Sequence, residues 1–127
     1  MRRLTGRRSV TPPIYTDGKF DLYVLKEERV GNYPRLVPHA LRQSIWYRET
    51  GVYDRTRAAL EAVGKTITMK VRIPRTDTID STHLCLIDGR FHEIYNAAGV
   101  YDRNGFPETE LTLIAPDKNI TEWEARK

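Results

Sequence analysis

At 127 residues the chain is sized for one domain, long enough to bury a core and too short for a second. Apolar residues make up 39% and charged residues 30%, and no run of about 18 apolar residues could carry a helix across a membrane. The net charge of +4 is unevenly placed: with Arg2, Arg3, Arg7 and Arg8 set aside, 17 basic residues face 17 acidic ones. A neutral body argues against a nucleic-acid-binding face on the folded part. The basic arm could meet DNA or an acidic partner, or stay solvated. Its charges precede no apolar stretch, so no secretory leader is expected, and the single cysteine, Cys85, has no internal partner. Both point to an intracellular origin.

Residues 11–13 end in two prolines and read as extended. Asp17-Gly18 signals a turn, and residues 20–24 alternate as a strand. Residues 27–33 are polar and end in a loop at Gly31-Asn32-Tyr33-Pro34. An extended stretch over 36–43 is followed by Ile45-Trp46-Tyr47. Asp54 then suits the N-cap of a helix through Ala58, Ala59, Leu60 and Val63, with Gly64 as its left-handed stop. Its narrow apolar stripe predicts a helix lying on a surface. The clearest strand is 66–73, with Ile67, Met69, Val71 and Ile73 on one face and Lys70 and Arg72 solvated on the other. Asp88-Gly89 between residues 82–87 and 90–95 is a two-residue hairpin signal, since both central positions need positive φ. A loop over 96–107 and a last strand over 109–115 complete the series. Met69, Val71, Leu84, Leu86, Phe91 and Leu113 are the expected core. The fold expected is mainly β: a small antiparallel β-barrel or rolled sheet with one short helix and long loops. A basic N-terminal arm (1–19), a barrel domain (20–117) and a polar C-terminal tail (118–127) are the expected parts.

The element order carries a resemblance. A helical segment leads into Lys65-Thr66-Ile67-Thr68-Met69-Lys70-Val71-Arg72-Ile73, and a polar loop ends in Ile79-Asp80. A hairpin follows, Leu86-Ile87-Asp88-Gly89-Arg90-Phe91-His92-Glu93-Ile94, and then a closing strand, Glu110-Leu111-Thr112-Leu113-Ile114. Over residues 20–116, and most specifically 65–95, this resembles the head-closure or head–tail joining proteins of long-tailed bacteriophages. The resemblance implies a structural, non-enzymatic virion protein made in the bacterial cytoplasm. It would form a ring between the portal or its adaptor and the tail or tail terminator, help hold packaged DNA, and present a surface to the tail. Residues 1–19 lie outside the resemblance; by their own charge they could meet an acidic partner or channel DNA. No cofactor, metal or membrane is implied.

The residues offer little catalytic chemistry. There is no G-x-S-x-G, phosphate loop or H-E-x-x-H. A nuclease of the acid–acid–x–Lys kind would need a lysine where Tyr95 stands. In the Asp88-Gly89 hairpin, Cys85 lies across from His92, with His83 two residues away. Two imidazoles and a thiolate suit zinc. A fourth ligand and the usual close-spaced pairs are missing, so the set reads as a small buried thiol beside polar neighbours. Asp77, Asp80 and Asp88 stand at turn positions, which aspartate favours by bonding its own backbone.

The pentapeptide Gly-Val-Tyr-Asp-Arg occurs at 51–55 and again at 99–103, with different flanks and so not as a repeat unit. Both copies fall in expected connections, where Tyr and Arg suit contacts with partners. The candidate partner-binding residues are Arg2, Arg3, Arg7 and Arg8 in the arm, Arg48, Tyr53, Arg55 and Arg57 around the helix, and Tyr101 and Arg103. A competing class is an OB-like barrel binding single-stranded nucleic acid, with Tyr47, Tyr53, Tyr95 and Tyr101 as stacking platforms.

Overall fold

The computed structural model describes residues 12–31, 33–52 and 54–116, with Val30 and Asp54 as backbone only. It is mainly β. The strands are β1 (Gly18–Val30), β2 (Tyr33–Thr50), β3 (Ile67–Pro74), β4 (His83–Ile87), β5 (Arg90–Tyr101) and β6 (Pro107–Ile114), with one helix, α1 (Asp54–Glu61). All neighbours are antiparallel, and the sheet closes into a barrel in the order β1-β2-β3-β6-β5-β4.

The interior follows from alternation. Phe20, Leu22, Ile45, Tyr47, Val71, Ile73, Cys85, Ile87, Ile94, Leu111 and Leu113 form one buried cluster, with Met69 and Ala97 packed against it. Ile79, from the polar loop after β3, is buried in the same cluster and adds a core residue that strand periodicity had no means of finding. The Asp88-Gly89 turn forms as expected: φ is +51° at Asp88 and +79° at Gly89, and the pairs are Ile87 with Arg90 and Cys85 with His92.

The helix also ends as expected. The Gly64 amide donates to the Glu61 carbonyl and the Lys65 amide to the Leu60 carbonyl, with φ +80° at Gly64. That is the Schellman pattern, which glycine permits at no steric cost. Leu60 is buried against Ile67 and Ile114, with Val52 beside them, forming a second, smaller core on the outside of the barrel.

Several expectations are corrected. The loop expected at 31–34 is shorter: β1 and β2 pair through Val30 with Tyr33 and Arg29 with Pro34, so the connection between them is residues 31 and 32, and residues 27–30 are strand. The stretches 36–43 and 45–47 belong to one 18-residue strand. This hairpin runs past β4, which pairs with β1 only over Asp21, Leu22, Tyr23 and Val24. Its outer part is largely exposed, apart from the buried Val37 and Pro38, and carries no sustained apolar alternation to read. Likewise most of 96–107 is strand, since β5 reaches Tyr101 and the turn is held by Asp102, whose Oδ1 accepts from the Asn104 and Phe106 amides. Gly18 opens β1 rather than a turn, and a Cβ there would lie 2.6 Å from Cζ of the buried Tyr47 ring.

The expected faces also shift. A bulge at Thr68 pairs Ile67 with Ile114 and Met69 with Leu113. Two residues thus oppose one step of β6, and Ile67 turns outward to the helix while Met69 stays inward. Val71 and Leu113 are interior as expected. Leu84 is buried as expected, but with Leu86 and Phe91 it lies on the opposite face of the β4–β5 hairpin from Cys85 and Ile87, where Phe91 meets Tyr23 edge to face at 5.2 Å. Phe91 therefore does not fill the barrel.

Candidate functional site

The most developed polar cluster lies on the outer face of β2, β3 and β6. Strand alternation that sends Leu111 and Val71 inward sends Glu108, Glu110, Lys70 and Arg72 outward. Arg72 stands opposite Glu110 in the β3–β6 register and its Nε donates to Glu110 at 2.9 Å. Lys70 Nζ lies 3.6 Å from Glu110. Neither cation is solvated as the alternation of β3 had suggested, because the acidic pair on β6 meets them.

Glu108 is the centre, with a side chain that has no exposed surface. It accepts two hydrogen bonds from Arg48, at 3.0 and 2.7 Å, one from Arg72 at 3.3 Å and one from the Tyr15 hydroxyl at 2.7 Å. Burial alone would raise its carboxyl; the bonds from Arg48 and Tyr15, with the Arg48 charge, outweigh it and hold the group below the usual carboxylate range. The Tyr15 phenol is pushed up, by burial first and then by donating to a carboxylate. Tyr15 brings residues 12–17 onto the barrel, and Asp17 secures them: its amide donates to the Tyr47 carbonyl and its carboxylate accepts from the Glu49 amide.

Around this cluster the surface is grooved. A cleft of about 540 Å³ is bounded by Pro12, Pro13, Arg48, Thr50, Arg72 and the turn at Asp102, Arg103 and Asn104. It shares Thr50 and Arg72 with a second cleft that runs over Lys70 and Glu110. That one shares Lys70 and Glu110 with a third, between α1 and β5, bounded by Arg55, Leu60 and Tyr95.

The expected partner-binding residues scatter relative to this groove. Arg2, Arg3, Arg7, Arg8 and Tyr53 lie outside the described residues. Arg48 is in β2 rather than in a connection, half-buried and engaged with Glu108. Arg55 and Arg57 are exposed on α1, and only Arg55 borders the groove. Arg103 is exposed in the β5–β6 turn and borders the first cleft. Tyr101 is exposed with the Arg75 guanidinium 5.0 Å from its ring centre. Sequence reasoning missed Tyr15, Arg72, Glu108 and Glu110. Opposite charges at i, i+2 spacing on two strands, Lys70 and Arg72 against Glu108 and Glu110, are the signal that could have found them.

The repeated pentapeptide has two unrelated settings. In the second copy Gly99, Val100 and Tyr101 are strand, not connection. A Cβ at Gly99 would meet the Arg75 guanidinium at 3.2 Å, and Arg75 donates to the Glu108 and Val100 carbonyls. In the first copy Gly51 is exposed and Val52 packs against the helix core.

The Cys85 region is also placed. Cys85 is fully buried and burial pushes its thiol up, which disfavours a thiolate. His92 is held low, mainly by burial, and its Nδ1 lies 2.8 Å from the Thr68 hydroxyl. His83 Nδ1 is 3.1 Å from Asp80. No group of three potential metal ligands occurs among the described residues. Of the four tyrosines considered as stacking platforms, Tyr47 is buried in the barrel, Tyr95 and Tyr101 are exposed, and Tyr53 lies outside the described residues.

No family model matches the chain, and no curated protein matches it in sequence.

Proposed function

We propose that this chain is a structural subunit of a tailed-bacteriophage connector, assembling as a ring between the portal or its adaptor and the tail. The observation that carries the reading is the β1–β2 hairpin, which runs beyond the barrel and exposes Tyr33, Leu36 and Leu41. A rigid barrel with a protruding two-stranded arm can hold one neighbour at its wall and reach another with the arm, which is what a joint between two assemblies requires. The resemblance over residues 65–95 supports the same reading. In the ring, the basic residues Arg2, Arg3, Arg7 and Arg8 would face channel DNA or an acidic neighbour.

The test is genetic and visual. Interrupting the reading frame in the phage that carries it should give DNA-filled heads and free tails that do not join, as seen by electron microscopy, with joining restored in trans. Normal particles from the interrupted phage would reject the reading. Tight, salt-sensitive binding of single-stranded oligonucleotides by a variant lacking residues 1–8 would favour the nucleic-acid-binding class instead.

A further inference from the structure

The geometry points to the groove between the N-terminal segment and α1 as a docking site for an extended, acidic segment of a partner protein. This stands on the groove itself and holds whether or not the partner is a phage protein.

Three observations carry it. The first is shape. The three clefts share residues end to end across the outer face of β2, β3, β6 and β5, forming a channel with Pro12 and Pro13 at one side and α1 at the other. A channel of this form takes an extended chain better than a compact ligand. The second is charge. Arg48, Lys70, Arg72, Arg55 and Arg103 border or floor it, against Asp102, Glu108 and Glu110. Cations therefore outnumber carboxylates here, within a body whose charges balance overall. The third is chemistry. The floor already recognises a carboxylate, since Arg48 grips Glu108 through two nitrogens and Arg72 adds a third contact. Planar guanidiniums suit carboxylates in this bidentate way.

Glu108 and Glu110 satisfy much of the floor, which fixes the guanidiniums in place. The exposed Arg55 and Arg103 at the two ends can then steer and hold the visitor's acidic side chains. Tyr95, exposed beside the third cleft, offers an apolar face to the same chain. A protein segment is favoured over a nucleic-acid strand because the buried carboxylate at the centre would repel a continuous line of phosphates, while an acidic peptide can space its charges around it.

The experiment uses the full chain and a fluorescein-labelled ten-residue peptide of alternating glutamate and serine, read by anisotropy. The Arg55→Glu/Arg103→Glu double variant changes only exposed ends and leaves the Glu108 cluster intact. A control, Arg29→Glu/Arg90→Glu, makes the same change in net charge at exposed sites away from the groove. Expected are saturable binding by the native chain, at least about tenfold weaker binding by the groove variant, and little change in the control. Equal loss in both variants would reduce the effect to general electrostatics and overturn the proposal, as would no binding at all. A single-stranded oligonucleotide of equal length that binds more tightly than the peptide, and loses more in the groove variant, would overturn it in favour of nucleic acid.

Discussion

A carboxylate with no exposed surface is stable in its ionised form only if partners replace the water it has lost, and Glu108 has four such hydrogen bonds. Removing its charge leaves Arg48 and Arg72 facing each other over a polar gap. Both are partly exposed, so Glu108→Gln should cost about 2–4 kcal/mol near neutral pH, toward the lower end for a broken buried pair. Tyr15→Phe, which removes one neutral donor, should cost about 1–2 kcal/mol. Because the folded state holds the Glu108 carboxyl low, its contribution is complete above the ordinary carboxylate value. It is lost as pH falls through the folded value, where the unfolded chain binds the proton first. Urea unfolding of native and Glu108→Gln protein at several pH values checks this: the gap should narrow on acidification. A gap that stays constant with pH would mean that the charge of Glu108 contributes nothing.

At the scale of elements, α1 depends on the barrel. Eight residues are too few to hold a helix in water. What keeps it is the Schellman end at Gly64 and the burial of Leu60 against Ile67 and Ile114. Leu60→Ala should therefore loosen the helix without unfolding the barrel. Hydrogen exchange in the variant should rise over residues 54–61 and stay low in β3 and β6; exchange rising equally everywhere would show the helix and barrel to be one cooperative unit.

The same elements show how far the sequence could be read. The Asp88-Gly89 turn, the Gly64 stop and strands β3, β4 and β6 were legible because local chemistry decides them: a positive φ, a missing Cβ, one buried face. Three features were not. The outer part of the β1–β2 hairpin buries only the adjacent Val37 and Pro38, which leaves no alternating period to detect. The bulge at Thr68, which turns Ile67 outward, exists because a second core forms under α1, a tertiary event invisible in β3 alone. The Glu108 cluster depends on residues far apart in sequence, Tyr15, Arg48, Arg72 and Glu108, that meet only when the barrel closes. Arg48 was singled out as a residue for partners, but its own strand position sends it to Glu108.

At the scale of the molecule, barrel closure changes what is left for assembly. Six strands close into a ring in which each has two neighbours. Strand pairing stays one-sided, among the described residues, in β5 beyond Glu93 and in the hairpin: β1 beyond β4, and β2 before its short pairing with β3 at Arg48, Glu49 and Thr50. Such edges invite pairing with other chains. Here β2 carries Pro34 and the buried Pro38, which cannot donate to a ladder, and the exposed, charged Arg35 and Arg42. These features oppose edge-to-edge pairing of identical copies, so the isolated protein should sediment as a monomer or a weak, dilution-sensitive associate. Assembly would then wait for a docking partner that supplies the ordering surface. Sedimentation velocity over a wide range of dilution checks this. A stable ring persisting at the lowest concentration would show that the subunit's own surfaces suffice, and the role assigned to the partner would fall.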